Sequence, residues 1–193
     1  MSGMSKRDQI IAAADQLFYK RGFEHTSFAH IGEVVKISRG NFYYHFKTKD
    51  EILDAVINLR LANTEDMLEK WEIEGKNPAD RIRSFIHLMI KNRANIKRFG
   101  CPVGTLTTEL NKLEHPAQYD ANKLFTLFHL WLKRQFQQLG YKKNANYLAK
   151  HLLARSQGIA TLASAFNDEG FIKKEVAQLN EWLLHYINQV NLN

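Results

Sequence analysis

The chain has 193 residues, 45% hydrophobic and 24% charged, the make-up of an ordinary globular protein of one or two small domains rather than of a disordered or fibrous one. No run of about 18 apolar residues is present to span a bilayer, and the start MSGMSKRDQ lacks the apolar stretch of a secretion signal, so a cytoplasmic location and no membrane partner are expected. The net charge is +7, and the single cysteine, Cys101, excludes both an internal disulfide and a cysteine-rich zinc site.

With 3 prolines, 10 glycines and almost no β-branched alternation, the pattern is all-helical. Ser5-Lys6-Arg7-Asp8 has the form of a capping box, and Ile10, Ile11, Ala14, Leu17 and Phe18 keep helical spacing until Gly22 ends the run. Thr26 and Ser27 can cap a second, short helix through Val35, with Phe28, Ile31, Val34 and Val35 as its apolar face. Ser38 can cap a third, ending near Phe46. Thr48-Lys49-Asp50-Glu51 is another capping box, opening a long fourth helix that Ile52, Leu53, Val56, Ile57 and Leu61 carry towards Trp71. Beyond Pro78 longer helices are expected at residues 79–98, 103–113, 117–139, 144–167 and 172–190, with breaks at Gly100-Cys101-Pro102, His115-Pro116, Gly140 and Asp168-Glu169-Gly170. The expected fold is therefore a compact N-terminal head of three short helices over residues 1–48 and a helical body over 49–193, with helix 49–71 connecting them.

The second and third helices, short and close together, read as a helix-turn-helix. In SRGNFYYHFKTKDE, Phe42 and Phe46 lie four apart and face the head's core, while Arg39, Asn41, Tyr43 and His45 fall on or beside the other side. Arg39 can pair bidentately with guanine O6 and N7, and Asn41 with adenine N6 and N7. Gly40 lets backbone approach a groove wall. Tyr43, Tyr44, His45, Lys47 and Lys49 can donate to phosphate oxygens, as can backbone amides near Thr48, and Ser27, Lys36 and Ser38 complete the candidate DNA-binding set. From Lys36 to Lys49 there are four cations and no acid, whereas residues 1–60 as a whole net only +2 and residues 76–150 net +10. The local run, not the global charge, points to DNA.

These residues resemble the TetR-type transcriptional regulators. The resemblance covers about residues 5–56, through Gly22-Phe23, Thr26, Ile31, Ile37-Ser38, Phe42-Tyr43-Tyr44-His45-Phe46-Lys47-Thr48-Lys49 and Glu51-Ile52-Leu53. It implies a three-helix DNA-binding head, a divergent ligand-binding and dimerisation body, and a homodimer, usually a repressor, on a palindromic operator, released by a small-molecule effector. The family usually has glycine in the turn where this chain has Lys36; a left-handed residue there would cost on the order of 1 kcal/mol. Either the cation offsets that cost at phosphate, or the turn avoids the left-handed region.

In the body, Ala154, Gly158, Thr161 and Ala165 form a stripe of small residues, and Leu179, Trp182, Leu183 and Tyr186 lie on the last helix. The resemblance suggests a dimer through these two helices; the same stripe would equally permit close packing within one chain. Phe85, Met89, Phe99, Cys101, Leu106, Phe125, Phe128, His129 and Trp131 are candidates for an effector pocket, and each also fits plain core. Six cations and no acid at residues 81–98 fit an anionic effector or a solvated face. Cys101, in Phe99-Gly100-Cys101-Pro102 with Lys97 and Arg98 nearby, is either an electrophile-sensing thiol, as in a branch of the family with a Gly-Cys pair here, or a small buried hydrophobe. No His-Glu-x-x-His, phosphate-binding glycine loop or nucleophile elbow is present, so no catalytic residue, metal or cofactor is expected. A helical enzyme or a protein-interaction module without sequence-specific DNA binding is the alternative.

Overall fold

The computed structural model describes residues 4–191. Among them are ten α-helices: α1 Lys6–Arg21, α2 Phe28–Val35, α3 Arg39–His45, α4 Lys49–Glu74, α5 Pro78–Lys91, α6 Arg93–Phe99, α7 Pro102–Lys112, α8 Gln118–Gln138, α9 Ala145–Ala165 and α10 Glu169–Asn191. The start signals act as their chemistry requires. Ser5 Oγ accepts from the Asp8 amide at 3.1 Å, Ser38 Oγ from the Asn41 amide at 3.4 Å, Thr48 Oγ1 from the Glu51 amide at 3.1 Å and Asn77 Oδ1 from the Asp80 amide at 2.9 Å. Each such cap stabilises its helix by about 1 kcal/mol. At α2 the cap is reciprocal: Ser27 Oγ accepts from the His30 amide at 3.2 Å, and His30 Nδ1 accepts from the Ser27 amide at 3.3 Å, so histidine stands where a capping box usually has glutamate.

One element differs from expectation. The helix expected over 79–98 is broken at Asn92 into α5 and α6, because Asn92 takes φ −102°, ψ 7° and its Nδ2 donates to the Leu88 carbonyl at 3.1 Å. The Leu88 carbonyl thus accepts from both the Asn92 amide, at 3.1 Å, and the Asn92 side chain, an arrangement that suits asparagine to a helix end.

The chain forms two compact units. The first comprises the chain up to Asn63 together with Val103–Leu124. Its core is built from Ile10, Ala14, Phe18, Ile31, Phe42, Phe46, Ile52 and Leu53, joined by Leu106, Leu110, Ala117 and Ala121. Full burial of each large side chain contributes about 1.5–3 kcal/mol. Residues 103–124, which the sequence pattern assigns to the body, are thus bound to the helix-turn-helix by its own hydrophobic core. Arg60 of α4 reinforces α1, with Nε 2.6 Å from Asp15 Oδ1.

The second unit comprises Thr64–Pro102 and the chain from Phe125 onward. Here α10 packs along α5 and α9, and α6 packs on α9. Ile82, Ile86, Leu132, Phe136, Leu152, Ile172, Leu179 and Leu183 are fully buried. No helix of the described residues is long and apolar enough to cross a membrane.

Candidate nucleic-acid interface

The helix-turn-helix is built on a strained pivot. Lys36 closes α2 at φ 53°, ψ 55°, so the turn does enter the left-handed region, and its amide still reaches the Gly32 carbonyl. A non-glycine residue there costs about 1 kcal/mol or more. Beyond it, Phe42 and Phe46 are each 2% exposed, and Phe42 lies 4.9 Å, ring to ring, from Phe28. That anchoring turns the rest of α3 outward. Ser38, Arg39, Gly40, Asn41, Tyr44 and Lys47 are exposed, as are Ser27 and Lys36. A β-carbon at Gly40 would meet nothing within 4 Å, so the chain itself sets no demand for glycine there.

Tyr43 and His45 are half-buried. Tyr43 packs edge-on against Phe28 at 5.4 Å and lies under the Arg39 guanidinium at 5.8 Å, while its carbonyl accepts from Lys47 Nζ. Between α2 and α3 runs a cleft of about 750 Å³ bordered by Ser27, Phe28, Lys36, Arg39 and Tyr43. Glu33 also borders it, an acid just outside the cation run.

Lys49 is directed elsewhere than the sequence suggests. Its ammonium lies 4.2 Å from the centre of the Phe23 ring and donates to the Phe23 and Glu24 carbonyls at 3.1 and 3.3 Å. Lys49 therefore fastens the α1–α2 turn rather than extending towards a phosphate. The amides of that turn are held by a residue the sequence does not mark. Glu109 of α7 accepts from the Phe23 amide at 2.9 Å and from the Glu24 amide at 3.0 Å. Nothing local marks Glu109, since it lies 86 residues from Phe23. The one available signal was the Gly22-Phe23 pair: Gly22 sits at φ 88°, ψ 158°, and a β-carbon there would fall 2.7 Å from Glu109 Oε1.

The candidate effector residues divide between the two units. Leu106 is buried in the core of the first. In the second, Phe85, Met89, Phe128 and Trp131 are buried, and Phe99, Cys101, Phe125 and His129 are half-buried. Phe85 meets Phe128 edge-on at 5.5 Å, and Trp131 lies 5.6 Å from Trp71. Gln157 Nε2 is 3.5 Å from the Cys101 sulfur. Among the described residues no group of three or more His, Cys, Asp or Glu side chains is placed to hold a metal ion.

The candidate dimer residues divide too. Ala154, Gly158, Thr161 and Ala165 are exposed along α9, next to a shallow groove of about 460 Å³ that His151, Leu162 and Phe171 also border. A β-carbon at Gly158 would meet nothing within 4 Å, so packing within the chain does not explain this part of the stripe. Leu179 and Leu183 are wholly buried in the second unit's own core, with no surface left for a partner. Trp182 and Tyr186 are half-buried, and Trp182 stacks on His151 at 5.3 Å.

Comparison with known proteins adds four likenesses. Residues 10–56 match the profile described as bacterial regulatory proteins, tetR family. An uncharacterized HTH-type transcriptional regulator from the lacX 3' region of Lactococcus lactis is 28% identical over 170 residues, 84% of this chain and 85% of that protein. QacR, an HTH-type transcriptional regulator of Staphylococcus aureus, is 31% identical over 90 residues, 45% of this chain and 46% of its own length. Among solved structures, a TetR transcriptional regulator from Legionella pneumophila superposes with a TM-score of 0.81 at 24% identity, covering 98% of each chain.

Proposed function

The chain belongs to the tetR family of bacterial regulatory proteins, a family of DNA-binding transcriptional regulators rather than enzymes, and from that premise we propose that it is a homodimeric repressor. It binds a palindromic operator through α3 and is released by a small-molecule effector. The observation that carries the reading is the two-sided build of α3. Phe42 and Phe46 hold it in the core, while Arg39 and Asn41 stand exposed on a stretch with cations and no acid.

Arg39 and Asn41 read bases, and Ser27, Lys36, Ser38, Tyr44 and Lys47 position the helix on phosphates, with Gly40 leaving room for a groove wall. The half-buried Tyr43 and His45 support α3 and offer their polar atoms to the backbone. The dimer forms through the exposed α9 strip of Ala154, Gly158, Thr161 and Ala165, flanked by Trp182 and Tyr186, because a two-fold operator calls for an isologous contact. The effector, apolar, anionic or electrophilic, is received by the second unit near Phe85, Phe128 and Trp131.

Selection of bound fragments from the source genome, followed by titration at several salt concentrations, tests the reading. A palindromic site and a steep salt dependence are expected. Arg39→Ala should relax sequence preference at one position of each half-site, whereas Lys36→Ala should weaken all duplexes alike and reduce the salt slope by about one. Failure to enrich any palindrome refutes the reading.

A further inference from the structure

We propose that Glu109 is a positioning residue for DNA binding: from α7 its carboxylate, together with the Lys49 ammonium, holds the α1–α2 turn so that α2 and α3 meet DNA in one arrangement. The inference rests on the head being the DNA-binding element.

The geometry assigns complementary halves of one turn to the two side chains. Glu109 takes the amides of Phe23 and Glu24, at 2.9 and 3.0 Å, and Lys49 takes the carbonyls of the same two residues, at 3.1 and 3.3 Å. Charge-assisted bonds of this kind are about twice as strong as neutral ones. Thr26 adds two further bonds within the turn. Thr26, 1% exposed, donates its hydroxyl to the Gly22 carbonyl at 2.7 Å and its amide to the Phe23 carbonyl at 3.1 Å. The next residue is Ser27, which caps α2. Helix α2 thus starts from a backbone whose position is set by a carboxylate on α7. Gly22 fits the same logic, because any β-carbon there would collide with that carboxylate.

Without Glu109 the two amides lose their acceptor and the turn gains freedom. The fraction of molecules with α2 and α3 in the DNA-competent arrangement then falls, and apparent affinity falls by the same factor. Simple electrostatics makes the opposite forecast, since deleting an acid near a polyanion's binding site strengthens binding. The sign of the change therefore separates the two.

The experiment uses the full chain and the operator selected for the wild type; if the wild type selects none, the function proposed above fails before Glu109 is tested. Glu109→Gln, which keeps the shape, should weaken operator binding roughly tenfold or more. Its salt slope and its order of preference among operator variants should stay at wild-type values, because no phosphate or base contact is removed. Circular dichroism and the melting temperature should remain near wild type while the Phe23 and Glu24 amides exchange faster. Lys49→Met should produce the same phenotype, and the double variant should cost much less than the two single losses combined. Unchanged or tighter binding by Glu109→Gln overturns the proposal, as does a loss fully accounted for by unfolded protein. A salt slope reduced by about one in Lys49→Met would place that lysine on phosphate and remove it from the turn.

Discussion

The wholly buried Gln135 donates its Nε2 to Glu72 Oε1 at 2.6 Å. Arg134 Nη2 reaches the same oxygen at 2.7 Å and Arg81 Nη1 reaches Oε2 at 2.8 Å. Burial alone would raise the Glu72 pKa, but the hydrogen bond from Arg134, the charges of Arg81 and Arg134 and the hydrogen bond from Gln135 together bring it below the ordinary value of 4.5. A carboxylate with a depressed native pKa contributes stability that is complete above the unfolded-state value and is lost as pH falls through the folded one. Urea melts at pH 7 and at pH 3–4 should show the wild type losing more stability on acidification than Glu72→Gln. At neutral pH, Glu72→Ala should cost about 2–4 kcal/mol, because it leaves Gln135 and two arginines without their common acceptor.

Gly158→Glu would separate the proposed dimerisation from folding. A side chain there has open space within the chain, and replacing a mid-helix glycine favours α9 by up to about 1 kcal/mol. Sedimentation should report a monomer whose helical content is intact and whose operator affinity is strongly reduced. A variant that still sediments as a dimer would move the interface away from the α9 strip.

Lys36→Gly relieves the left-handed backbone at the pivot between α2 and α3. The variant should be about 0.5–1 kcal/mol more stable in urea. On the proposed reading it should also bind operator more weakly with a salt slope lower by about one, because the cation assigned to a phosphate is removed. Stability and affinity moving in opposite directions is the expected signature of a strained residue kept for its charge.

Gly22→Ala should cost at least about 1–3 kcal/mol from backbone conformation alone. Combining it with Glu109→Ala should recover only part of that loss, because the collision is removed and the φ of 88° is not. Chemical denaturation of the two single variants and the double variant measures both contributions.

Cys101 is half-exposed and is the chain's one thiol, so a maleimide should add once per native chain and not at all to Cys101→Ser. Operator release on modification of the wild type would make this thiol the effector site. Retained binding would leave a non-covalent effector near Trp131.

What the sequence disclosed follows from range. Ser5, Ser27, Ser38 and Thr48 are legible as caps because donor and acceptor lie three residues apart. Phe42 and Phe46 declare the inner face of α3 through helical spacing. Glu109 could not be read, since its partners lie in a turn fixed only once α7 packs on the head through Leu106 and Leu110. Lys49 misled for a related reason: a cation next to a recognition helix looks free until the carbonyls of Phe23 and Glu24 are placed beside it. The break at Asn92 was hidden because asparagine interrupts an apolar periodicity that continues on both sides.

Helix α3 has only seven residues, and helices shorter than about 12 residues are marginal in water by themselves. The proposed reading surface therefore does not exist as a separable object: the Ser38–Lys47 peptide in isolation would be mostly coil and would present Arg39 and Asn41 in no fixed geometry. Transplanting the proposed DNA specificity to another scaffold would mean carrying across the recess that receives Phe42 and Phe46, because the aromatic seat, more than the cations above it, gives Arg39 and Asn41 an address.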